Sequence, residues 1–537
     1  MTSLSVPSFI ENLLSQMTLQ EKVSMLAGTD MWYTVPVERL GIPSLKMTDG
    51  PNGARGAGSL TGGVKTTAFP AGISLASTWD TELVGRVGQA LADEAKLKGA
   101  RVLLGPTVNI QRSPLGGRNF ECFSEDPYLS ARLAVAYITG LQREGVGASI
   151  KHYVCNDEEF ERFSLSSEVR ERALREIYLL PFQVAVRECQ PWTVMASYNL
   201  VNGVPASESP YLLTEILRDE WGFDGVVVSD WFESVKSTVA SINAGLDLEM
   251  PVPRWRAEKL LAAVERGEVT PDTIDTSVRR ILLLLDRADL FKHPQSGEEQ
   301  VVDLPERRAL VREAAAEGIV LLKNEGQALP LEAQQLAKVA VIGPNAKVAQ
   351  TTGGGSAQVN AHYAVTPFEG IVAKLGDRVQ VGYEQGCTNY RLLPLLDTRL
   401  LFAGTEGNEH GLAVEYFNNG DLSGSPVKRE MQPTTDVMWF SPPQGVDPQR
   451  FSARASGRFT PAETGSYTFS LVSAGLSRLF IDGREIIDNW TRQTPGIEYF
   501  GFGSAEMKAV VSLEAGHEYQ LTLDFARSPE GLLAAVR

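Results

Sequence analysis

The sequence predicts an α/β protein: a TIM-type (β/α) barrel over residues 1–300, a smaller α/β domain over 301–390, a linker at 391–411 and an all-β sandwich over 412–537. Three observations predict it. From Ser44 to about Met250, six short runs (SLKMTD, RVLLGPTVNI, GASIKHY, TVMASYN, GVVVSD and LDLEM) alternate with amphipathic stretches, as repeated β-α units require. Asp49, Asn109, Lys151, His152, Tyr198 and Asp230 fall at or near the C-terminal ends of these runs, where a barrel carries its site. From Leu412 onward, strand-like runs alternate with Gly, Pro and Asp turns at short spacing, which marks a sandwich. A chain of 537 residues also exceeds what one hydrophobic core supports.

The elements follow in order. The N-terminus reads as an amphipathic helix with Leu13, Leu14, Met17 and Val23 on its apolar face; it lacks a basic segment followed by an apolar core, so a cytoplasmic location is expected. Leu83, Val87, Leu91 and Ala95 recur every four residues and predict a helix, as does the stretch from Glu168 to Arg187. After a loop at Val301–Pro305 come a helical run, RRALVREAAAEG, and two buried-strand candidates, IVLLKNE and KVAVIGPNA. The loop TTGGGSAQV, the helix-like TPFEGIVAKLGD and the strand RVQVGYEQG complete this domain. In the sandwich, Asp482-Gly483 predicts a tight hairpin.

Composition excludes several classes. With 43% hydrophobic and 22% charged residues the chain is an ordinary folding sequence. A net charge of −16 without a basic patch argues against nucleic acid as a partner. No stretch of about 18 apolar residues occurs, so no membrane span is expected. Cys122, Cys155, Cys189 and Cys387 show no CxxC spacing and are expected to be free thiols rather than a zinc cage or disulfide framework.

Several polar groups have the chemistry that hydrolysis of a glycosidic bond with retention needs: a carboxylate nucleophile, a second carboxylic acid about 5–5.5 Å away, and hydrogen bonds to sugar hydroxyls. Asp230 emerges after Val226–Ser229, beside Trp231, whose ring suits a pyranose face. Read alone, it fits equally well as the N-cap of a helix starting at Trp231. Lys151 and His152 are adjacent strand-tip donors, although such a dipeptide is more often surface decoration. Asp49 lies in TDGPNGAR, where from spacing alone a turn role wins. Arg118 in PLGGRNFE carries a planar fork suited to hydroxyl or carboxylate partners, or to a helix-flanking ion pair. The glycine-rich TTGGGSAQV lacks the lysine and spacing of a phosphate loop.

In order, TDGPNGAR, PLGGRNFECFSEDP, ASIKHYVCNDEE, MASYNLVNGVPA, GFDGVVVSDW and AGLDLEMP resemble the successive barrel motifs of glycoside hydrolase family 3. The resemblance runs from about Thr18 to Met250 and continues through EGIVLLKNEGQALPL and VAVIGPNA. It implies a retaining β-glucosidase with Asp230 as nucleophile and Asp49, Arg118, Lys151, His152, Met195, Tyr198 and Trp231 around the sugar. It also implies a small carbohydrate or glucoside substrate and neither metal nor organic cofactor; homo-oligomerisation is left open. A β-N-acetylglucosaminidase is disfavoured, since VCNDEEFERFS lacks the histidine that those relatives carry there. A β-xylosidase and a non-catalytic carbohydrate-binding protein stay as alternatives.

The same resemblance makes residues 301–390 the first part of an α/β sandwich domain. From Leu412 the chain resembles a protective-antigen-like sandwich that some members carry as an insert. IEYFGFGS, with Tyr499, Phe500 and Phe502, is the candidate to reach over the active site, or else a packing loop at the sandwich edge. Members place the acid/base glutamate beyond this insert, and no Glu between Glu306 and Glu384 has a comparable context. The ending LLAAVR within the sandwich therefore leads to the expectation that the acid/base is absent from these 537 residues.

Overall fold

The structure is a computed structural model that describes residues 6–56, 64–294, 298–404, 409–439, 442–529, 531 and 533–537. Residues 405–408 of the expected linker lie outside the described residues. The chain divides into two compact units, one built from residues 1–58, 62–341 and 345–384, the other from 59–61, 342–344 and 385–537.

In the first unit five parallel strands stand side by side in chain order: Met47–Thr48, Val102–Leu103, Gly147–Tyr153, Thr193–Ala196 and Val226–Ser229. Every residue of these strands is buried, as expected when a parallel sheet is covered on both faces. The sheet curls back through single bridges: Val228 to Leu248, Glu249 to Ala27, Gly28 to Thr34, and Tyr33 to Lys46. LDLEM, expected as a sixth strand, thus contributes bridges rather than a ladder. The cause is Asp247, whose carboxylate takes the Val227 N–H at 2.9 Å and also holds Arg218, Arg280 and Ser277.

The helix expected around Leu83–Ala95 spans Thr81–Leu97 and is capped by Asp80, which accepts the N–H groups of Glu82 and Leu83. It packs on Pro127–Arg143, capped likewise by Asp126. A Cβ at Gly140 would lie 2.1 Å from the Gly85 carbonyl oxygen, so only glycine permits this approach. The stretch expected to be helical from Glu168 runs from Glu171 to Cys189 with a π-helical section at Leu174–Tyr178. Pro181, which has no N–H to give, sits just beyond that section.

The expectation of two buried strands after residue 318 is corrected. Ile319 is 78% exposed and Leu322 92% exposed, and these residues belong to no strand. Lys338–Ile342 does pair with Gln380–Glu384, but as a two-stranded sheet whose side chains are half-buried or exposed. Among the described residues no layer buries Ile319 or Leu322, and a strand is buried only when a second layer packs on it.

The second unit is a sandwich. Its larger sheet has seven strands and includes Leu401–Ala403, from the expected linker. Asp482 and Gly483, both with positive φ, turn Leu476–Ile481 into Arg484–Asn489 as the sequence predicts. Leu412, Val414, Tyr416, Phe451, Leu521 and Phe525 fill the core. Tyr499, Phe500 and Phe502 pack against Ala474, Leu533 and Ala535 of the same unit, and Tyr499 donates to Asp436 at 3.1 Å.

Across the larger sheet runs one row of alternating charge. Arg429, Glu415, Arg454, Asp524, Arg478 and Asp488 are successive cross-strand partners on six strands. Asp524, buried, accepts from Arg454 at 2.7 and 3.0 Å and from Arg478 at 3.1 and 3.2 Å. A slip of one residue in any of these strands would turn that strand's charge to the other face and break the row. Asp524→Ala should therefore lower stability by about 1–3 kcal/mol, the smaller end applying because both arginines can rehydrate. Chemical unfolding of the full chain measures this; a loss below about 0.5 kcal/mol would show that the row contributes nothing to the fold.

Candidate active site

The site is built at the C-terminal ends of the curled sheet. Lys151 and His152, adjacent on the strand Gly147–Tyr153, serve different partners. The Lys151 ammonium meets the Asp49 carboxylate at 2.8 Å, both side chains buried. The same Asp49 oxygen accepts the Gly50 N–H at 2.8 Å, so the turn role and the ion-pair role coexist. Burial alone would raise the Asp49 pKa, but Lys151 and Arg55 outweigh it and hold the carboxyl below its usual value. The buried charge is matched locally.

His152 is fixed by Asn109. The Asn109 amide donates to the His152 carbonyl at 2.9 Å and its oxygen accepts the His152 N–H at 2.9 Å, which sets the orientation of the amide. That oxygen also lies 3.1 Å from His152 Nδ1; being an acceptor, it requires Nδ1 to carry the proton. Burial, together with the charges of Arg118, Lys151 and Arg162, drives the His152 pKa well below its ordinary value. The ring is therefore neutral, with a bare Nε2. This corrects the expectation of two adjacent donors: His152 Nε2 is an acceptor, and Lys151 is already paired.

Asp230 follows the strand Val226–Ser229 and is 8% exposed. No helix begins at Trp231, so the capping role is removed. One carboxylate oxygen accepts the Trp231 N–H at 2.7 Å. The other, Oδ2, is buried and accepts no hydrogen bond of 3.5 Å or less among the described residues; the Tyr198 hydroxyl, given to the Trp231 carbonyl at 2.8 Å, lies near this carboxylate, and the bare His152 Nε2 is 3.6 Å from Oδ2. Burial raises the Asp230 pKa, and Arg118, Arg162, the Trp231 N–H and Lys151 offset only part of that. A buried carboxylate oxygen left without a donor costs stability. It is also a lone pair free to attack carbon.

Around Asp230 the remaining expected residues fall as follows. The Tyr198 hydroxyl donates to the Trp231 carbonyl at 2.8 Å, and burial beside Asp230 keeps it protonated. Trp231 Nε1 donates to the Met31 carbonyl at 2.8 Å, and its ring lies 6.0 Å from Trp32. Met195 is buried in the cluster that holds Trp32 and Trp231. Arg118 pairs with Glu121 three residues on, in a turn instead of a helix, while Glu121 also accepts from Thr107 at 3.0 Å.

Arg55, Ser356 and Arg162 are contributors that spacing does not reveal. Arg55 stacks over Trp32 at 5.2 Å and donates to the Ser356 carbonyl at 2.8 Å. Ser356 Oγ in turn accepts from Arg118 at 3.3 Å, so the loop TTGGGSAQV reaches both arginines. Arg162, paired with Glu159 at 2.6 Å, lies over the Tyr198 ring at 4.8 Å. The one available signal was the cation in EFERFS, beside the aromatic Phe163 that meets Tyr198 edge-on at 4.9 Å.

Comparison with known proteins gives a consistent result. Residues 8–284 match the glycosyl hydrolase family 3 N terminal domain, and residues 408–534 match the PA14 domain. The chain is 51% identical to a β-glucosidase of Rhizobium radiobacter, over 96% of this chain and 62% of that protein. It is 45% identical to β-glucosidase B of Emericella nidulans, over 96% and 60% of the two chains. The crystal structure of a β-glucosidase from Kluyveromyces marxianus in complex with glucose aligns with a TM-score of 0.90 at 39% identity, covering 98% of this chain and 65% of that one. The chain thus spans about three fifths of the length of the curated relatives it matches.

Two outcomes follow for variants. Folded Asp230 keeps its proton to a higher pH than unfolded Asp230 does, so its contribution to stability falls as pH rises through that window and is unfavourable at neutral pH. Asp230→Asn should therefore melt at a higher temperature than the wild type at pH 7, and an unchanged or lower midpoint would contradict the buried, unpartnered carboxylate. Asp49→Ala strands the Lys151 ammonium without its partner and should cost about 3–5 kcal/mol, read by chemical unfolding; a neutral effect would show that the pair is not buried as described.

Proposed function

The chain belongs to glycosyl hydrolase family 3, and from that premise we propose that it is the catalytic part of a retaining β-glucosidase that releases terminal non-reducing glucose from short oligosaccharides or aryl and other small glucosides. The observation that carries the reading is Asp230 Oδ2, a buried carboxylate oxygen at a strand tip with no donor on it. In this proposal Oδ2 attacks the anomeric carbon as the aglycone departs, and water later cleaves the glycosyl ester. The Trp231 N–H fixes the other oxygen, so the carboxylate presents one lone pair in one direction. The charges of Arg118, Arg162 and Lys151 favour the ionised form and offset part of the effect of burial. The His152 Nε2 accepts a sugar hydroxyl, and Trp231, wedged by Trp32, presents a ring face.

The acid that protonates the leaving group is not among the residues of this site. Asp49, Glu121 and Glu159 each accept from a cation, Lys151, Arg118 and Arg162 respectively. Each of these carboxylates is committed to the cation that donates to it. We assign the acid role to a group outside this set.

The proposal is tested with the 537-residue chain. A dinitrophenyl β-glucoside, whose leaving group needs little protonation, should glycosylate Asp230, whereas cellobiose should react slower by a factor of about 10²–10⁴. The glycosylation rate should fall on acidification through a pH above aspartate's ordinary 3.8. Among nitrophenyl glycosides the glucoside should react faster than the xyloside and the N-acetylglucosaminide. Preference for the xyloside would replace the substrate, and tight sugar binding with no release of nitrophenol would replace the enzyme with a binding protein.

A further inference from the structure

Asn109 makes one more contact with His152 than holding the strand end requires. The segment before it is already fixed by backbone pairing: the Lys151 N–H donates to the Pro106 carbonyl at 3.0 Å and the Val108 N–H to the Lys151 carbonyl at 2.8 Å. Thr107 bridges to Lys151 as well. The Asn109 amide then exchanges two bonds with the His152 backbone, at 2.9 Å each. None of this involves the imidazole. The remaining contact, Oδ1 to the ring Nδ1 at 3.1 Å, acts on the ring alone.

That contact decides which ring nitrogen carries the proton. Turning the amide over would set its NH2 against the His152 N–H and its oxygen against the His152 carbonyl, so Oδ1 stays the acceptor. Nδ1 therefore keeps the proton and Nε2 stays bare. Nε2 lies 3.6 Å from Asp230 Oδ2, which accepts no hydrogen bond among the described residues. In the opposite tautomer the Nε2–H would need to close by only about half an ångström to bond that oxygen. The Tyr198 hydroxyl, also beside this carboxylate, is given to the Trp231 carbonyl at 2.8 Å. One amide thus separates an open carboxylate oxygen from one capped by the imidazole.

We propose that Asn109 is a positioning residue for the attack by Asp230: by taking the Nδ1 proton of His152 it denies the nucleophile a donor, so that Oδ2 meets the substrate uncovered. This role rests on the glucosidase reading above, which makes Asp230 the attacking group. A donor on Oδ2 would form a hydrogen bond to a charged group, and that bond must break before oxygen can bond to carbon. An imidazole that turns its lone pair toward Oδ2 adds no such bond. Asparagine suits the place because it gives a donor to the His152 carbonyl and an acceptor to Nδ1 at once.

The ring and the reaction are measured separately. Nitrogen NMR of the full chain with isotope-labelled histidine rings resolves protonated from bare nitrogens among five histidines, and the His152 signals are those lost in His152→Ala. At neutral pH His152 should show a protonated Nδ1 and a bare Nε2, and Asn109→Ala should move the proton to Nε2. The attack is read from labelling by dinitrophenyl 2-deoxy-2-fluoro-β-glucoside, whose limiting rate should fall about 10-fold to 100-fold in Asn109→Ala. In a His152→Ala background, where the backbone groups of residue 152 still meet the Asn109 amide, Asn109→Ala should cost no further rate. An equal loss in both backgrounds would show that Asn109 only holds the chain and would overturn the proposal. So would a proton on Nε2 in the wild type, a result that does not depend on Asn109→Ala folding. If the reagent leaves the wild type unlabelled, the glucosidase reading fails and the positioning role falls with it, whatever tautomer the ring shows.

Discussion

Everything at the end of the curled sheet is arranged around one constraint: under the proposed function, Asp230 must ionise while one of its oxygens is buried and unbonded. Water cannot solvate that oxygen, and a donor placed on it would quench the lone pair that chemistry needs. The remaining means is the field of nearby cations. Arg118, Arg162 and Lys151 supply it, and each must itself be neutralised because it too is buried or nearly so. Hence each cation carries its own carboxylate, Glu121, Glu159 and Asp49. The ion pairs around Asp230 follow from the isolation of its carboxylate.

The neutral His152 follows from the same field. Three cations and burial leave no room for a fourth positive charge, so the imidazole stays unprotonated and Asn109 selects its tautomer. The backbone pays for little of this: the ends of parallel strands deliver Lys151, His152 and Asp230 from one rigid sheet, and loops carry the rest. That division separates the groups fixed to fractions of an ångström from those whose positions can vary with substrate, which is how barrels accommodate many chemistries.

How much of this a single sequence reveals depends on how local each contact is. Strand-tip residues are legible, because apolar runs ending in Asp or Lys-His mark both a strand and its exit; Asp49, Lys151, His152 and Asp230 are of this kind. Their roles are less legible: Lys151 and His152 read as a donor pair, yet one is bound by Asp49 and the other by Asn109. Contacts between distant loops are not legible at all. Arg55 and Ser356 are 301 positions apart, and nothing in TTGGGSAQV announces that its serine meets two arginines. The expected buried strand at IVLLKNE failed for a related reason: apolar composition predicts burial only where a second layer exists to cover it, and Ile319 and Leu322 have none among the described residues.

The most direct measurement is the mass of the protein after reaction with dinitrophenyl 2-deoxy-2-fluoro-β-glucoside, followed by peptide mapping. A free, ionised Asp230 Oδ2 predicts one added fluoroglucosyl group, carried on the peptide GVVVSDW through Asp230, and no addition in Asp230→Asn. Labelling at another carboxylate, or equal labelling of the Asn variant, would contradict the assignment of Asp230 as the nucleophile.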